Sequence, residues 1–161
     1  MLFGSNRDFD LLVNINRELL HDLVEQEVLY HKLSLEDTEV NLYGESLAKS
    51  FWNAVKLNCL ITRGDQVIDI DTFGPDLGRE ASFAMIRKDL EDKSILPEVG
   101  DIIQWQNDFY EVDTVRENRL FLGRDNKYNL SSYGSSYGGS LSIILDTHLT
   151  RADRVGISEV R

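Results

Sequence analysis

Hydrophobic and polar positions alternate with two different periods along this chain. Near its start, Phe9, Leu12, Ile15, Leu19 and Leu23 recur at intervals of three and four, the spacing that sets residues on one face of an α-helix. The pattern predicts an amphipathic helix over residues 6–25, with Asn14, Arg17, Glu18 and Asp22 on much of the other face. Ser5, followed three residues later by Asp8, resembles a capping box with a shortened acid. The apolar face either packs on the chain's own β-structure or docks on a neighbouring subunit.

Past the helix the period drops to two, as in strands. Val28 to Leu33 is a candidate strand. Between Phe51 and Ile61, Val55, Leu57, Cys59 and Ile61 share one face, and Ala54, Lys56, Asn58 and Leu60 the other. Arg63-Gly64-Asp65 reads as a hairpin turn closing that run; as an adhesion tripeptide it is too short to be specific. Val67 to Asp71 is a short strand, Phe73 to Gly78 a Gly- and Pro-broken loop, and Ser82 to Lys88 another strand with Phe83 and Met85 opposite Ala84 and Ile86. Leu90 to Leu96 holds one helical turn.

The stretch Pro97 to Val115 organises the rest. Ile103 and Trp105 share a face opposite Ile102, Gln104 and Gln106, Asn107-Asp108 turns the chain, and strict alternation puts Phe109, Glu111, Asp113 and Val115 opposite Tyr110, Val112 and Thr114. Leu120-Phe121-Leu122 completes a meander, Lys127 to Leu130 is a weaker strand, and Leu141 to Leu145 the last. These elements predict a single mainly β domain over 1–161. It is a small antiparallel β-barrel or sandwich, with its strands in 28–145 and the helix ahead of them.

Two segments break the pattern. Ser131 to Ser140 is rich in Ser, Gly and Tyr and predicts a flexible loop, since it offers little apolar area to offset backbone entropy. Tyr133 and Tyr137 are spaced there like paired anchors, so the loop is either free at the surface or ordered by a partner. The tail over 147–161 carries Arg151, Arg154 and Arg161, and is either a docking arm or a frayed end.

Composition narrows the classes. A chain of 161 residues, 42% hydrophobic, is long enough for one substantial core. No apolar run approaches the roughly 18 residues of a membrane span. Met1 to Asp8 shows no signal-peptide pattern. The single cysteine, Cys59, allows no intrachain disulfide, which fits a reducing site of synthesis, and its place on a strand face reads as a small buried hydrophobe. A net charge of -11 repels phosphate at long range. That argues against a general nucleic-acid binder, though not against a wall past which DNA slides.

Candidate chemistry is sparse. Asp69, Asp71, Gly74 and Glu80 fall at positions one, three, six and twelve of a calcium-loop spacing. Phe73 and Pro75 occupy two ligand positions, and the flanks read as strands, so the expectation is no bound metal. His21, His31 and His148 follow no ligand spacing, and no nucleophile elbow, phosphate loop or dinucleotide fingerprint occurs. Neither a catalytic constellation nor a cofactor is expected.

The order of motifs resembles the neck, or head-closure, proteins of long contractile-tailed phages of the T4 type. The resemblance is carried by Leu42-Tyr43-Gly44-Glu45-Ser46 before a long strand, Phe73-Gly74, and the strand from Phe83 to Arg87. Pro97-x-x-Gly100-Asp101-Ile102-Ile103, Phe109-Tyr110-Glu111-Val112 with Val115 beyond, and Tyr128-x-Leu130 follow in order. They span roughly residues 28 to 130, and the chain departs from the family in its short length and its Ser-Gly-Tyr loop. The resemblance implies a structural virion protein made in the host cytoplasm and placed at the head–tail junction. It implies a ring of copies, typically sixfold, with a portal adaptor or other neck protein above and a tail terminator below. Viral DNA would pass through without specific binding, and neither catalysis nor a membrane is involved. Another tail-completion protein, or a cellular β-barrel binding module using Trp105 and Tyr110, is the alternative.

Overall fold

The computed structural model describes residues 6–36, 38, 49–71, 74–117 and 141–156, with the backbone course alone at Asn6, Asp8, Phe9, 67–71, 74–77, Asp153 and Arg154. The cap at Ser5, the turn at Leu42 to Ser46, the strands expected at Leu120 to Leu122 and Lys127 to Leu130, and the loop with Tyr133 and Tyr137 lie outside the described residues.

The N-terminal helix α1 (Asn6–Glu18) runs on into a π-helical turn (Leu19–Val24). Glu25 ends it in the left-handed region at φ 48, its N–H donating to the Leu20 carbonyl at 3.1 Å. Of the expected face, Leu12 is half-buried, while Ile15, Leu19 and Leu23 stay outside the core. Val13 and Leu20 are buried, whereas Leu11, Ile15, Leu19 and Leu23 are exposed. The rotation has an ionic cause. Arg17 Nε lies 2.6 Å from Asp89 Oδ1 and Arg17 Nη2 2.8 Å from Asp92 Oδ2, while His21 Nε2 lies 2.9 Å from Asp89 Oδ2. Both acids sit on helix α2 (Arg87–Asp92), so the side of α1 carrying Arg17 and His21 turns inward.

Among the described residues nine strands follow: β1 (Glu27–His31), β2 (Leu33–Ser34), β3 (Ser50–Phe51), β4 (Val55–Asn58), β5 (Leu60–Asp71), β6 (Gly74–Ile86), β7 (Ile102–Trp105), β8 (Asp108–Arg116) and β9 (Ser142–Thr150). Seven form one antiparallel sheet in the order β4-β1-β7-β8-β9-β6-β5, and β2 pairs with β3 apart from it. The mainly β fold with an N-terminal helix is therefore present, but the sheet is not closed into a barrel. Its end strands β4 and β5 do not pair with each other. They are consecutive in the chain, joined through Cys59 alone, so the sheet curls until its two ends share a corner.

The inner face of that curl is the core. Val28, Tyr30, Leu57, Cys59, Ala81, Phe83, Met85, Ile103, Trp105, Tyr110, Val112, Ile143 and Leu145 pack there, with Leu90 of α2. Phe83 meets Trp105 and Tyr110 edge-on, at centroid separations of 6.5 and 5.5 Å, an arrangement that aligns ring edges with ring faces. The alternation read for β4, β7 and the start of β5 holds. In β8 it does not persist, because the register shifts between Val112 and Thr114. That bulge changes the phase by one residue and brings Val115 onto the core with Tyr110 and Val112.

Three further expectations change. Arg63-Gly64-Asp65 is no hairpin turn: β5 runs through it, with a register shift between Arg63 and Gln66. A Cβ on Gly64 would lie 3.1 Å from the Glu80 carbonyl oxygen, so the bulge uses the missing side chain to approach β6. Residues 74–78 are no loop but the start of β6, and the chain reverses between Asp71 and Gly74. The helical turn begins at Arg87 rather than Leu90.

Over the described residues the tail forms a strand end and a short helix. Thr147 to Thr150 complete β9, and helix α3 (Ala152–Val155) buries Val155 against Ile102 and Phe109 on the outer side of β7 and β8.

Candidate functional site

The motif Pro97-Glu98-Val99-Gly100-Asp101 has a structural cause. Gly100 takes φ 92, a region glycine enters freely, and this turns Asp101 inward, where it is buried. Its carboxylate accepts from the Leu33 N–H at 2.9 Å, the Glu98 N–H at 2.8 Å and the Tyr30 hydroxyl. Lys32 Nζ stands 3.6 Å away and also bridges Glu98 at 2.8 Å. Burial, and then the Asp101 charge, push the Tyr30 hydroxyl far above the ordinary tyrosine range, so it stays a donor. One carboxylate thus ties the end of β1 to the entry of β7.

His31, the next residue of β1, is buried with its Nε2 at 3.3 Å from Gln104 Oε1. Burial lowers its pKa, against a smaller upward pull from Gln104. The unfolded chain, with an ordinary histidine value near 6.5, therefore binds a proton before the folded chain does. Stability from this site is complete above about pH 6.5 and lost as pH falls below it. Thermal melts from pH 7 to 5 are expected to show a falling Tm, and His31→Gln to flatten part of that slope. A parallel fall in the variant would remove His31 as the cause.

The outer face of β6, β8 and β9 is polar. Ser82 donates to Asp146 at 2.7 Å, and Arg116 Nε pairs with Asp146 at 2.5 Å. Burial raises the Asp146 pKa, but the hydrogen bonds from Ser82 and Arg116 and the Arg116 charge outweigh it and hold the carboxyl below its usual value. His148 Nδ1 lies 2.8 Å from Asp113, and Lys49 Nζ 2.7 Å from Glu111. Among the described residues no three His, Cys, Asp or Glu side chains converge as metal ligands.

The calcium-loop residues are not gathered by any loop. Asp69 stands opposite Asp76 and Asp71 opposite Gly74 in the β5–β6 ladder, whereas Glu80 is further down β6, opposite His148 of β9. Asp76 and Glu80 are four residues apart on one strand, about 13 Å. Cys59 is fully buried and its thiol is pushed up to about 12 by burial, which suits a core residue rather than a nucleophile. Arg151 is exposed just before α3, and Arg154 lies within it. Trp105 and Tyr110 face the core rather than solvent, and the Arg63 guanidinium covers the Trp105 ring at 4.1 Å. No open aromatic platform exists at that pair.

Two surface features stand out. First, β5 and β6 outrun the sheet. The pairing of β6 with β9 ends at Glu80, but its pairing with β5 continues from Gln66↔Arg79 to Asp71↔Gly74. The result is a two-stranded arm. At its base, Arg79 reaches Gln66 at 3.2 Å and Asp108 at 3.3 Å, a polar row that with Arg63 terminates the core. Second, Leu11, Ile15, Leu19 and Leu23 of α1 and its π-helical turn are exposed at 58%, 49%, 52% and 78%. In an α-helix a four-residue step overshoots a turn by about 40°. The wider π turn needs more than four residues, so the step from Leu19 to Leu23 undershoots and offsets part of that drift.

Sequence reasoning missed the Asp101 hub, the Arg63 cover and the arm. The only local signals were Pro-x-x-Gly-Asp and the alternation on either side of Thr72-Phe73. Comparison of the sequence with protein-family models gives no match, and comparison with curated proteins gives none either.

Proposed function

We propose that this chain is a structural subunit of a phage neck, forming a ring that closes the DNA-filled head and joins it to the tail. The observation that carries the reading is the combination of a curled seven-stranded sheet with two features outside its core, the two-stranded β5–β6 extension and the exposed apolar stripe of the N-terminal helix. A connector subunit needs both a body that holds its shape and extensions that reach neighbours. The order of sequence motifs resembling the neck family supports it further, and the Pro97 to Asp101 part of that order acts as a structural hub. The ring is a homo-oligomer, sixfold by the resemblance, between a portal adaptor or second neck protein and a tail terminator. The charge of -11 suits a channel through which DNA passes without adhering. No catalytic activity is assigned. No helix among the described residues is long and apolar enough to cross a membrane.

The rival reading as a binding module loses its best support, since the Trp105–Tyr110 pair is buried. Immunogold labelling of phage particles from the source with antibody to this chain tests the proposal. Label confined to the head–tail junction is the expected result. Label elsewhere on the tail means another completion role, and its absence with the epitope shown accessible refutes a virion role.

A further inference from the structure

We infer that the N-terminal helix is a strap: α1 and its π-helical turn swing away from the sheet as a unit about Glu25, and a charge clasp on Asp89 and Asp92 holds them closed. The inference goes beyond the ring reading and does not rest on it.

The clasp is one-sided. Arg17 Nε lies 2.6 Å from Asp89 Oδ1 and Arg17 Nη2 2.8 Å from Asp92 Oδ2, while His21 Nε2 donates to Asp89 Oδ2 at 2.9 Å. Among the described residues, both partners of the Asp89 carboxylate therefore come from the strap. That side chain is 5% exposed, and a buried charge stripped of its partners is strongly unfavourable. With α1 seated, the charge is matched. With α1 lifted, Arg17 and His21 are gone and water takes their place. A half-lifted strap offers neither, so the contacts part together.

The base is fixed and the strap is not. Asp89 and Asp92 sit on α2, whose Leu90 belongs to the core of the sheet. The Arg87 N–H at the start of α2 donates to the Leu141 carbonyl at 3.1 Å, and beyond its end the Ile95 N–H donates to the Leu90 carbonyl at 2.8 Å. Among the described side chains α1 contributes none to that core. Its buried pair, Val13 and Leu20, belongs to neither apolar cluster of the fold, and Leu11, Ile15, Leu19 and Leu23 stay exposed. Segments with few core contacts open locally, at a lower free energy than global unfolding.

The pivot is marked as well. Glu25 takes φ 48, a left-handed conformation that disfavours a residue with a side chain. One residue later the Gln26 carbonyl accepts from the Cys59 N–H at 3.0 Å, and the chain is locked to the sheet. Rotation at Glu25 lifts α1 without disturbing β1 and releases that conformation. The open state presents the acids Asp89 and Asp92 and carries the apolar stripe away from the sheet.

Salt separates the strap from its base. Arg17 and Asp92 are 36% and 50% exposed, so salt screens their part of the clasp. Salt also screens the self-repulsion of a chain of net charge -11, which steadies the sheet. The two parts respond in opposite directions.

Hydrogen–deuterium exchange of the full chain at neutral pH tests this, in about 0.01 M and about 1 M salt, where the Debye length is about 30 Å and about 3 Å. In low salt, amides over 11–24 are expected to exchange about tenfold or more faster than those of β7 and β8. In high salt they are expected to speed up while the β7 and β8 amides slow. Arg17→Gln is expected to raise the rate over 11–24 by about tenfold in low salt and to remove its response to salt, with β7 and β8 unchanged. Leu19→Gln, on the outward stripe, is expected to leave the rate within about twofold. Exchange over 11–24 no faster than in β7 and β8 overturns the strap, since α1 would then leave only on global unfolding. A rate unmoved by Arg17→Gln, or raised as much by Leu19→Gln, overturns the clasp, since apolar contacts would then hold the helix. The neck assignment stands or falls separately, on the labelling experiment.

Discussion

Asp101→Ala is expected to lower unfolding free energy by about 4 kcal/mol, the largest loss from any single hydrogen-bonding side chain described. The carboxylate accepts from two backbone N–H groups and the Tyr30 hydroxyl. Hydrogen bonds to a charged group each contribute about 1.5–3 kcal/mol, and removal of the acceptor leaves buried donors without partners. The three bonds act as a unit, so the loss is smaller than their sum. For a chain of this length it corresponds to a fall in Tm on the order of 10 °C. Tyr30→Phe removes one donor and keeps the two backbone bonds, so its expected cost is about half as great. Urea denaturation of the three proteins checks the ordering. A loss below about 1 kcal/mol for Asp101→Ala would mean the carboxylate does not tie β1 to β7.

Phe83→Ala is expected to cost about 3–5 kcal/mol. Phe83 is fully buried on β6 and fills the space between Trp105 of β7 and Tyr110 of β8. Truncation leaves a cavity between strands that are not sheet neighbours of β6, so no ladder draws them in to fill it. Tyr110→Phe is the control at the same contact. The Tyr110 hydroxyl is buried without a hydrogen-bond partner among the described residues, so its removal is expected to be neutral or to stabilise by about 1 kcal/mol. Comparable losses from both substitutions would show that the hydroxyl, rather than ring packing, holds this junction.

The strands were legible where alternation alone decides them. Leu57 and Cys59, or Ile103 and Trp105, are apolar at every second position and bury that face. The helix was legible as a helix but not in its orientation. It carries a buried pair, Val13 and Leu20, and a separate stripe from Leu11 to Leu23, and periodicity cannot rank two apolar faces. The choice is made by Asp89 and Asp92, some seventy residues away. Gly64, Gly74, Pro75 and Gly78 were read as breakers, yet all lie within β5 or β6. A glycine at a bulge and a proline on an unpaired strand edge are compatible with a ladder, and local composition does not distinguish those places from a loop. The Asp101 hub was half visible. Pro-x-x-Gly-Asp announces a turn, but the donors from Tyr30 and Leu33 come from the other end of a long-range pairing.

The corner at Cys59 has a consequence for misfolding. A sheet's end strands are ordinarily free to slip in register independently, and each slip of one residue reverses every side chain of that strand. Here both ends belong to one continuous run from Val55 to Asp71, interrupted by Cys59 alone. Leu57, Cys59 and Ile61 count out a single alternation that serves the ladder with β1 on one side and the ladder with β6 on the other. A one-residue error on either side forces Cys59 outward or demands a second bulge. The two margins of the sheet therefore proofread each other, and the chain is guarded against frame errors at the places where an open sheet is ordinarily most exposed to them.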